Sequence, residues 1–117
     1  MPKRKTLKGK EMYTIAEGIA RGAHAGQTRR DGKTPYFKHV LEVASQLKGW
    51  DLKTIGILHD TLEDTKLKEA DLVDAGFPPR IIAAVKAMTK PEMEYFTYIE
   101  MQILGNPDAR QVKLADL

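Results

Sequence analysis

Residues 58–65, with the sequence LHDTLEDT, concentrate side chains that bind metal ions and move protons. His59 and Glu63 are four residues apart and would share one face of a helix, as would Asp60 and Asp64. One turn would thus offer two adjacent metal ligands, and the next turn two carboxylates. A buried His-Asp pair needs a cation or hydrogen-bond partners. An isolated His-Asp dipeptide is also typical of an acidic surface turn, so further ligands must support the metal interpretation.

Two residues elsewhere provide that support. His39 lies mid-helix on the same side as Tyr36, and Asp116 shares a face with Val112. A hydrogen-bonded core histidine and a solvated C-terminal acid are the alternatives for these two positions. An acid on an apolar stripe is unusual unless it meets a cation. Two imidazoles and two carboxylates, completed by water, suit an octahedral divalent ion, so Mn²⁺ or Fe²⁺ fits better than structural Zn²⁺.

Helical periodicity governs the elements that must position these residues. No stretch alternates with period two for long enough to predict a sheet. Thr34-Pro35 is a good helix start, Asp51 can cap the third helix, and Asn106-Pro107 opens the last one. We predict an all-α domain of six to seven short helices, over residues 12–23, 34–47, 51–62, 67–75, 78–88, 91–104 and 106–116.

Composition limits the class of protein. The 117 residues suffice for one domain, and the absence of cysteine excludes disulfides and thiolate metal sites. No apolar run approaches the length of a membrane span, and we expect a cytoplasmic protein without membrane contact. Five of the first ten residues are basic, and without them 14 basic and 16 acidic residues remain, a net charge of −2. We predict a flexible basic tail over residues 1–10, with phosphate steering or nucleic-acid contact as its functional alternatives.

Four segments together resemble the HD-domain metal-dependent phosphohydrolases, and within them the (p)ppGpp hydrolase domain of the Rel/SpoT family and its small stand-alone homologues. The similarity runs from about residue 11 to the end of the sequence. The four segments, in this order and at this spacing, are highly specific: residues 23–30 (AHAGQTRR), 35–39 (PYFKH), 58–65 (LHDTLEDT) and 112–116 (VKLAD).

The resemblance implies an HD-domain helical bundle over residues 11–117 with a single Mn²⁺, Fe²⁺ being the alternative. It implies hydrolysis of the 3′-diphosphate of guanosine tetra- or pentaphosphate, (p)ppGpp, to GDP or GTP and pyrophosphate. By motif position the residues fall into three groups. These are the metal ligands His39, His59, Asp60 and Asp116, the water-activating pair Glu63 and Asp64, and the substrate-binding pair Arg29 and Arg30. His24 belongs to the same loop motif, and we assign it a structural role.

The sequence also departs from the family. An asparagine that follows the last aspartate by one turn in the family has no counterpart before Leu117, so we expect a domain that is short at its C-terminus. A homodimer could then cover the site. Two alternatives stay open: a phosphohydrolase acting on another nucleotide, or a degenerate domain that binds nucleotide or nucleic acid. The paired acids Glu63 and Asp64 argue against degeneracy, and nucleic acid is the less favoured partner.

Overall fold

A computed structural model describes residues 6–29, 31–88 and 105–116, with the side chains of Glu63, Asp64 and Asp116 excepted. Seven helices lie in these ranges: α1 (Gly9–Ala23), α2 (Tyr36–Ser45), α3 (Trp50–Leu58), α4 (Thr61–Asp64), α5 (Glu69–Ala75), α6 (Pro79–Met88) and α7 (Pro107–Asp116). The described residues contain no strand, only an isolated bridge between Thr28 and Pro35. The all-α prediction is confirmed, while the helix predicted over residues 91–104 lies outside the described part.

Helix α3 forms the centre of the bundle. Its residues 54–58 are all buried, and α1, α2, α6 and α7 pack around it. A helix segment that is buried on every side must be covered by other elements all around. The surrounding helices each turn one apolar stripe inward, for example through Met12 of α1, Val40 of α2 and Val112 of α7. The ends of α2 and α3 are therefore held in fixed positions by the core.

Helices α2 and α3 approach closely at Gly56. A Cβ atom at this position would lie 2.8 Å from Cδ1 of Leu47 and 3.4 Å from Cα of Ala44. A side chain larger than hydrogen would therefore push the two helices apart. Because α2 carries His39 and α3 leads into His59, we expect this contact to influence the distance between the two histidines.

The third helix is shorter than predicted. We expected one helix over residues 51–62, but α3 ends at Leu58 and α4 begins at Thr61. The Thr61 hydroxyl donates to the carbonyl of Leu58 at 2.8 Å, and Asp60 adopts φ −103° and ψ 0°. Side chains that bond to nearby backbone groups compete with the helical ladder. The pairs His59–Glu63 and Asp60–Asp64 therefore do not lie on one continuous helix.

Two predicted caps are replaced by other contacts. The hydroxyl of Thr34 donates to Asp31 rather than capping α2, whose first residue is Tyr36. Asp51 lies inside the first turn of α3, after the N-cap Gly49. Both residues still stabilise the start of their helices, Thr34 through the preceding loop and Asp51 through the positive end of the helix dipole.

The N-terminal segment enters the core before the predicted boundary at residue 11. Leu7 is buried, and its backbone N–H donates to the carbonyl of Gly76 at 2.9 Å. Helix α1 begins at Gly9. Among the described residues, none of the helices is long and apolar enough to cross a membrane.

Candidate metal centre

Three side chains from two neighbouring elements converge on one point. His39 lies on α2, and His59 and Asp60 lie in the turn that follows α3. Each offers one ligand atom, and these atoms all lie within 4.8 Å of one another. His59 is almost fully buried, while His39 and Asp60 are half-buried. The cluster therefore lies at the edge of the core, where an ion could be held by protein on one side and met by substrate on the other.

The ring of His59 is oriented by the backbone. Its Nδ1 lies 2.6 Å from the carbonyl oxygen of Gly56, which can only accept, so Nδ1 carries the proton in the neutral ring. The lone pair then belongs to Nε2, which is the atom 3.0 Å from Oδ2 of Asp60. Two hydrogen-bond acceptors at this distance repel each other unless they share a cation or the imidazole ring is protonated. The donor set and its tautomer therefore fit a divalent metal ion.

Asp60 receives a second contact from Tyr36. The Tyr36 hydroxyl donates to Oδ2 of Asp60 at 2.5 Å, across 24 residues of chain. A hydrogen bond to a carboxylate is short and strong because the acceptor is charged. The carboxylate of Asp60 thus receives a hydrogen bond from a residue of α2.

Four rings form a row that leads into the cluster. The ring centroids of His24 and Tyr36 lie 5.0 Å apart, those of Tyr36 and His39 5.5 Å, and those of His39 and His59 5.9 Å. His24 is buried, and its Nδ1 lies 2.9 Å from Oε1 of Gln27. These distances are typical of tilted and edge-to-face aromatic pairs. The row packs α2 against the end of α1 and fixes the planes of the two candidate ligands.

An open pocket of about 490 Å³ adjoins the cluster. His39 and Tyr36 form part of its wall, to which Arg29 and Lys38 contribute two positive charges and Asp31 and Glu42 two carboxylates. Arginine binds phosphate well because its guanidinium donates two parallel hydrogen bonds. Arg29 and Lys38 can therefore contact a phosphate group that binds in the pocket, beside the three residues that could hold a metal ion.

The loop that carries Arg29 is organised by Asp31. Its carboxylate accepts hydrogen bonds from the backbone of Lys33 and from the backbone and hydroxyl of Thr34. The Thr34 hydroxyl, followed by the two backbone donors, lowers the pKa of Asp31 to about 2. Gly32 supplies the left-handed turn that the loop requires, with φ +70°. The Arg29 backbone is bonded to the carbonyl of Thr34 and is thus held by the same loop.

The structure brings together three of the four predicted ligands, and the other predicted site residues are placed as follows. Helix α4 follows Asp60 directly and carries Glu63 and Asp64, whose side chains are outside the described part. Asp116 is the last residue of α7, and its side chain is also outside it. Arg29 lines the pocket beside His39, whereas Arg30 lies outside the described residues.

Two residues of the site were missed by sequence reasoning. The hydroxyl of Tyr36 contacts Asp60, and Lys38 lines the pocket. Tyr36 precedes His39 by three residues, so their common helix face was visible in the sequence. Its contact with Asp60 was not, because it depends on how α2 packs against the turn after α3.

Comparison with known proteins supports the resemblance. No protein-family model matches the chain. The chain is 39% identical over 83 residues to a probable guanosine-3′,5′-bis(diphosphate) 3′-pyrophosphohydrolase of Mycoplasma pneumoniae. It is 40% identical over 76 residues to the guanosine-3′,5′-bis(diphosphate) 3′-pyrophosphohydrolase of Vibrio cholerae. These matches cover 68% and 62% of the chain but only 11% and 10% of the two relatives, so the chain corresponds to a small part of each.

A solved structure shares the fold. It is described as a metazoan ortholog of SpoT that hydrolyses ppGpp and plays a role in starvation responses. The superposition gives a TM-score of 0.75 and covers 95% of this chain and 68% of that one, at 23% sequence identity. This chain therefore shares the fold of that protein, and together with the two sequence relatives this confirms the predicted resemblance to the Rel/SpoT hydrolases.

Proposed function

We propose that this chain is a metal-dependent hydrolase that removes the 3′-diphosphate of (p)ppGpp. The observation that carries the proposal is the convergence of His39, His59 and Asp60 within 4.8 Å. The similarity to guanosine-3′,5′-bis(diphosphate) 3′-pyrophosphohydrolases supports (p)ppGpp as the substrate class. The pocket beside the cluster, with Arg29 in its wall, supports a phosphorylated substrate.

The proposed metal ligands are His39, His59, Asp60 and Asp116. A bound Mn²⁺ or Fe²⁺ would lower the pKa of a coordinated water and neutralise charge on phosphate oxygens. Two contacts support this assignment: Nδ1 of His59 lies against the carbonyl of Gly56, which leaves Nε2 to bind a metal ion, and Asp60 accepts a hydrogen bond from Tyr36. Asp116 is proposed on its motif position and on the place of α7, which packs against α2, α3 and α6.

The proposed reaction needs one proton acceptor and one phosphate clamp. Water forms a bond to the phosphorus of the 3′-diphosphate that is attached to the ribose. The bond from that phosphorus to the 3′ oxygen breaks, and the 3′ oxygen takes up a proton. Glu63 or Asp64 would accept the proton of the attacking water. Arg29 and Arg30 would hold the phosphates of the substrate, with binding energy that also orients it. The products are GDP or GTP and pyrophosphate.

The test is a turnover assay with purified protein. We expect the wild type with added Mn²⁺ to release pyrophosphate from ppGpp. Asp60→Asn should abolish this activity because it replaces a charged ligand by a neutral amide. Glu11→Gln, at an exposed carboxylate of α1 far along the chain from the cluster, should leave the rate unchanged.

Two results would contradict the proposal. If Mn²⁺-loaded wild type leaves ppGpp intact but hydrolyses another nucleoside phosphate in a substrate screen, the reaction class stands and the substrate is wrong. If no nucleotide is hydrolysed and Asp60→Asn behaves like the wild type in metal binding, the domain is not a metal-dependent hydrolase.

A further inference from the structure

The hydroxyl of Tyr36 contacts Asp60, a candidate metal ligand, and Tyr36 also lines the pocket. It donates to Oδ2 of Asp60 at 2.5 Å, and Nε2 of His59 lies 3.0 Å from the same oxygen. The terminal torsion of an aspartate side chain is broad and two-fold, so a carboxylate needs an external contact to fix its plane. The phenol supplies that contact from a different helix.

Tyr36 is itself held on three sides. Its backbone N–H donates to the carbonyl of Gln27 at 2.9 Å. One side of its ring packs against His24, whose Nδ1 lies 2.9 Å from the side-chain oxygen of Gln27. The ring of His39 lies 5.5 Å away. A residue held in this way can fix the ligand it touches, whereas a mobile phenol would follow the carboxylate.

We propose that Tyr36 is a positioning residue, which holds Asp60 in the orientation that binds the divalent metal ion and aligns His39 beside it. The proposal rests on the metal site of the proposed function. It assigns the hydroxyl and the ring to separate tasks. The hydroxyl fixes the carboxylate, and the ring fixes the plane of the imidazole of His39. Partners that orient a ligand in this way contribute about 10- to 100-fold to metal affinity.

Tyr36→Phe separates the two tasks because it removes the hydroxyl and keeps the ring. The variant and the wild type are stripped of metal, and the dissociation constant for Mn²⁺ is measured by the electron paramagnetic resonance signal of the free ion. We expect the affinity to fall about 10- to 100-fold. The midpoint of thermal unfolding of the metal-free protein, followed by circular dichroism, should change little. Tyr13→Phe, which removes the hydroxyl of a tyrosine packed against Trp50, is the matched control and should bind Mn²⁺ like the wild type.

Activity gives an independent readout. If Tyr36 acts through the metal, the loss of ppGpp hydrolysis in Tyr36→Phe should be large at limiting Mn²⁺ and should be restored by excess Mn²⁺. A general loss of structure would not respond to the metal concentration. An equal dissociation constant in Tyr36→Phe and the wild type overturns the proposal and leaves the proposed function intact. A wild type that binds no Mn²⁺ overturns the proposed function itself.

A second pair of variants covers the case in which Tyr36→Phe does not fold. Tyr36→p-aminophenylalanine and Tyr36→p-methylphenylalanine both carry a para substituent close to the size of a hydroxyl, but only the amino group can donate. The amino variant should bind Mn²⁺ several-fold more tightly than the methyl variant. Equal affinity in this pair means that Tyr36 acts only by filling space, and the proposal is then wrong.

Discussion

Nε2 of His59 lies 3.0 Å from Oδ2 of Asp60, the residue that follows it in the chain. Consecutive residues of a continuous helix project about 100° apart. The end of α3 at Leu58 and the non-helical backbone of Asp60 make the approach feasible. The two candidate ligands therefore converge in the turn between α3 and α4 and not within a continuous helix.

This relationship predicts that a divalent ion stabilises the fold. An ion that binds only the native state at 100 times its dissociation constant adds about 2.7 kcal/mol to the free energy of unfolding. We expect the midpoint of thermal unfolding to rise with added Mn²⁺ and to return after chelation, measured through the fluorescence of Trp50, the only tryptophan of the chain. Asp60→Asn should lose the response and Glu11→Gln should keep it. An identical shift in Asp60→Asn would place the binding site elsewhere.

Gly56 predicts a link between helix packing and metal affinity. In Gly56→Ala the new methyl group meets Leu47 at 2.8 Å, and overpacking costs about 1–3 kcal/mol. The higher helix propensity of alanine returns about 1 kcal/mol. We therefore expect a net loss of about 1 kcal/mol in the free energy of unfolding by denaturant, together with weaker Mn²⁺ binding.

Gly18→Ala is the matched control for that experiment. Gly18 is an exposed glycine within α1, and a Cβ atom there would meet nothing within 4 Å. The variant should gain about 0.5–1 kcal/mol from helix propensity, with unchanged Mn²⁺ affinity. If both variants bind Mn²⁺ like the wild type, the close approach of α2 and α3 does not set the ligand distance.

The low pKa of Asp31 predicts that the stability of its loop depends on pH. Its folded-state pKa of about 2 lies below the ordinary aspartate value of 3.8, so its contribution to stability is fully present above about pH 4 and is lost as the pH falls toward 2. A carbon-detected nuclear magnetic resonance titration of the Asp31 carboxyl should show this low midpoint. Thr34→Val removes the hydroxyl that contributes most, and the midpoint should then rise. An unchanged midpoint in Thr34→Val would assign the shift to the backbone donors alone.

The contacts of Arg80 predict that it helps to hold α7 against α3 and α6. Its guanidinium donates to both oxygens of Asp108 at 2.8 and 3.0 Å and to Asp51 at 2.9 Å, which joins the first turns of α7 and α3 to α6. Lysine cannot reproduce this fork, so Arg80→Lys should lower the free energy of unfolding. Because Arg80 is 61% exposed, the loss should stay below about 1 kcal/mol.

High salt provides the check on this electrostatic origin. In about 1 M salt the Debye length is about 3 Å, so the difference between Arg80→Lys and the wild type should shrink. Arg110→Lys, at an exposed position of α7, should show no difference at either salt concentration. A salt-independent loss in Arg80→Lys would point to packing rather than charge.

The sequence by itself determined the helical class and the types of ligand. The periodicity of α1, α2 and α6 and the start of α7 are local properties, because they depend on the spacing of apolar residues and on Pro and Gly near the ends. The four motifs singled out His39, His59 and Asp60 before any geometry was known. Such patterns are visible because a metal site needs particular side chains at particular positions.

Only the tertiary structure decided how those residues meet. The break after Leu58 depends on hydrogen bonds made by Thr61 and His59, which compete with a helix that the apolar pattern would have continued. The hydrogen bond from Tyr36 to Asp60 spans 24 residues and requires α2 to pack against the end of α3 at Gly56. Contacts of this kind depend on distances between elements. A one-dimensional pattern does not contain these distances, because they follow from the packing of the whole core.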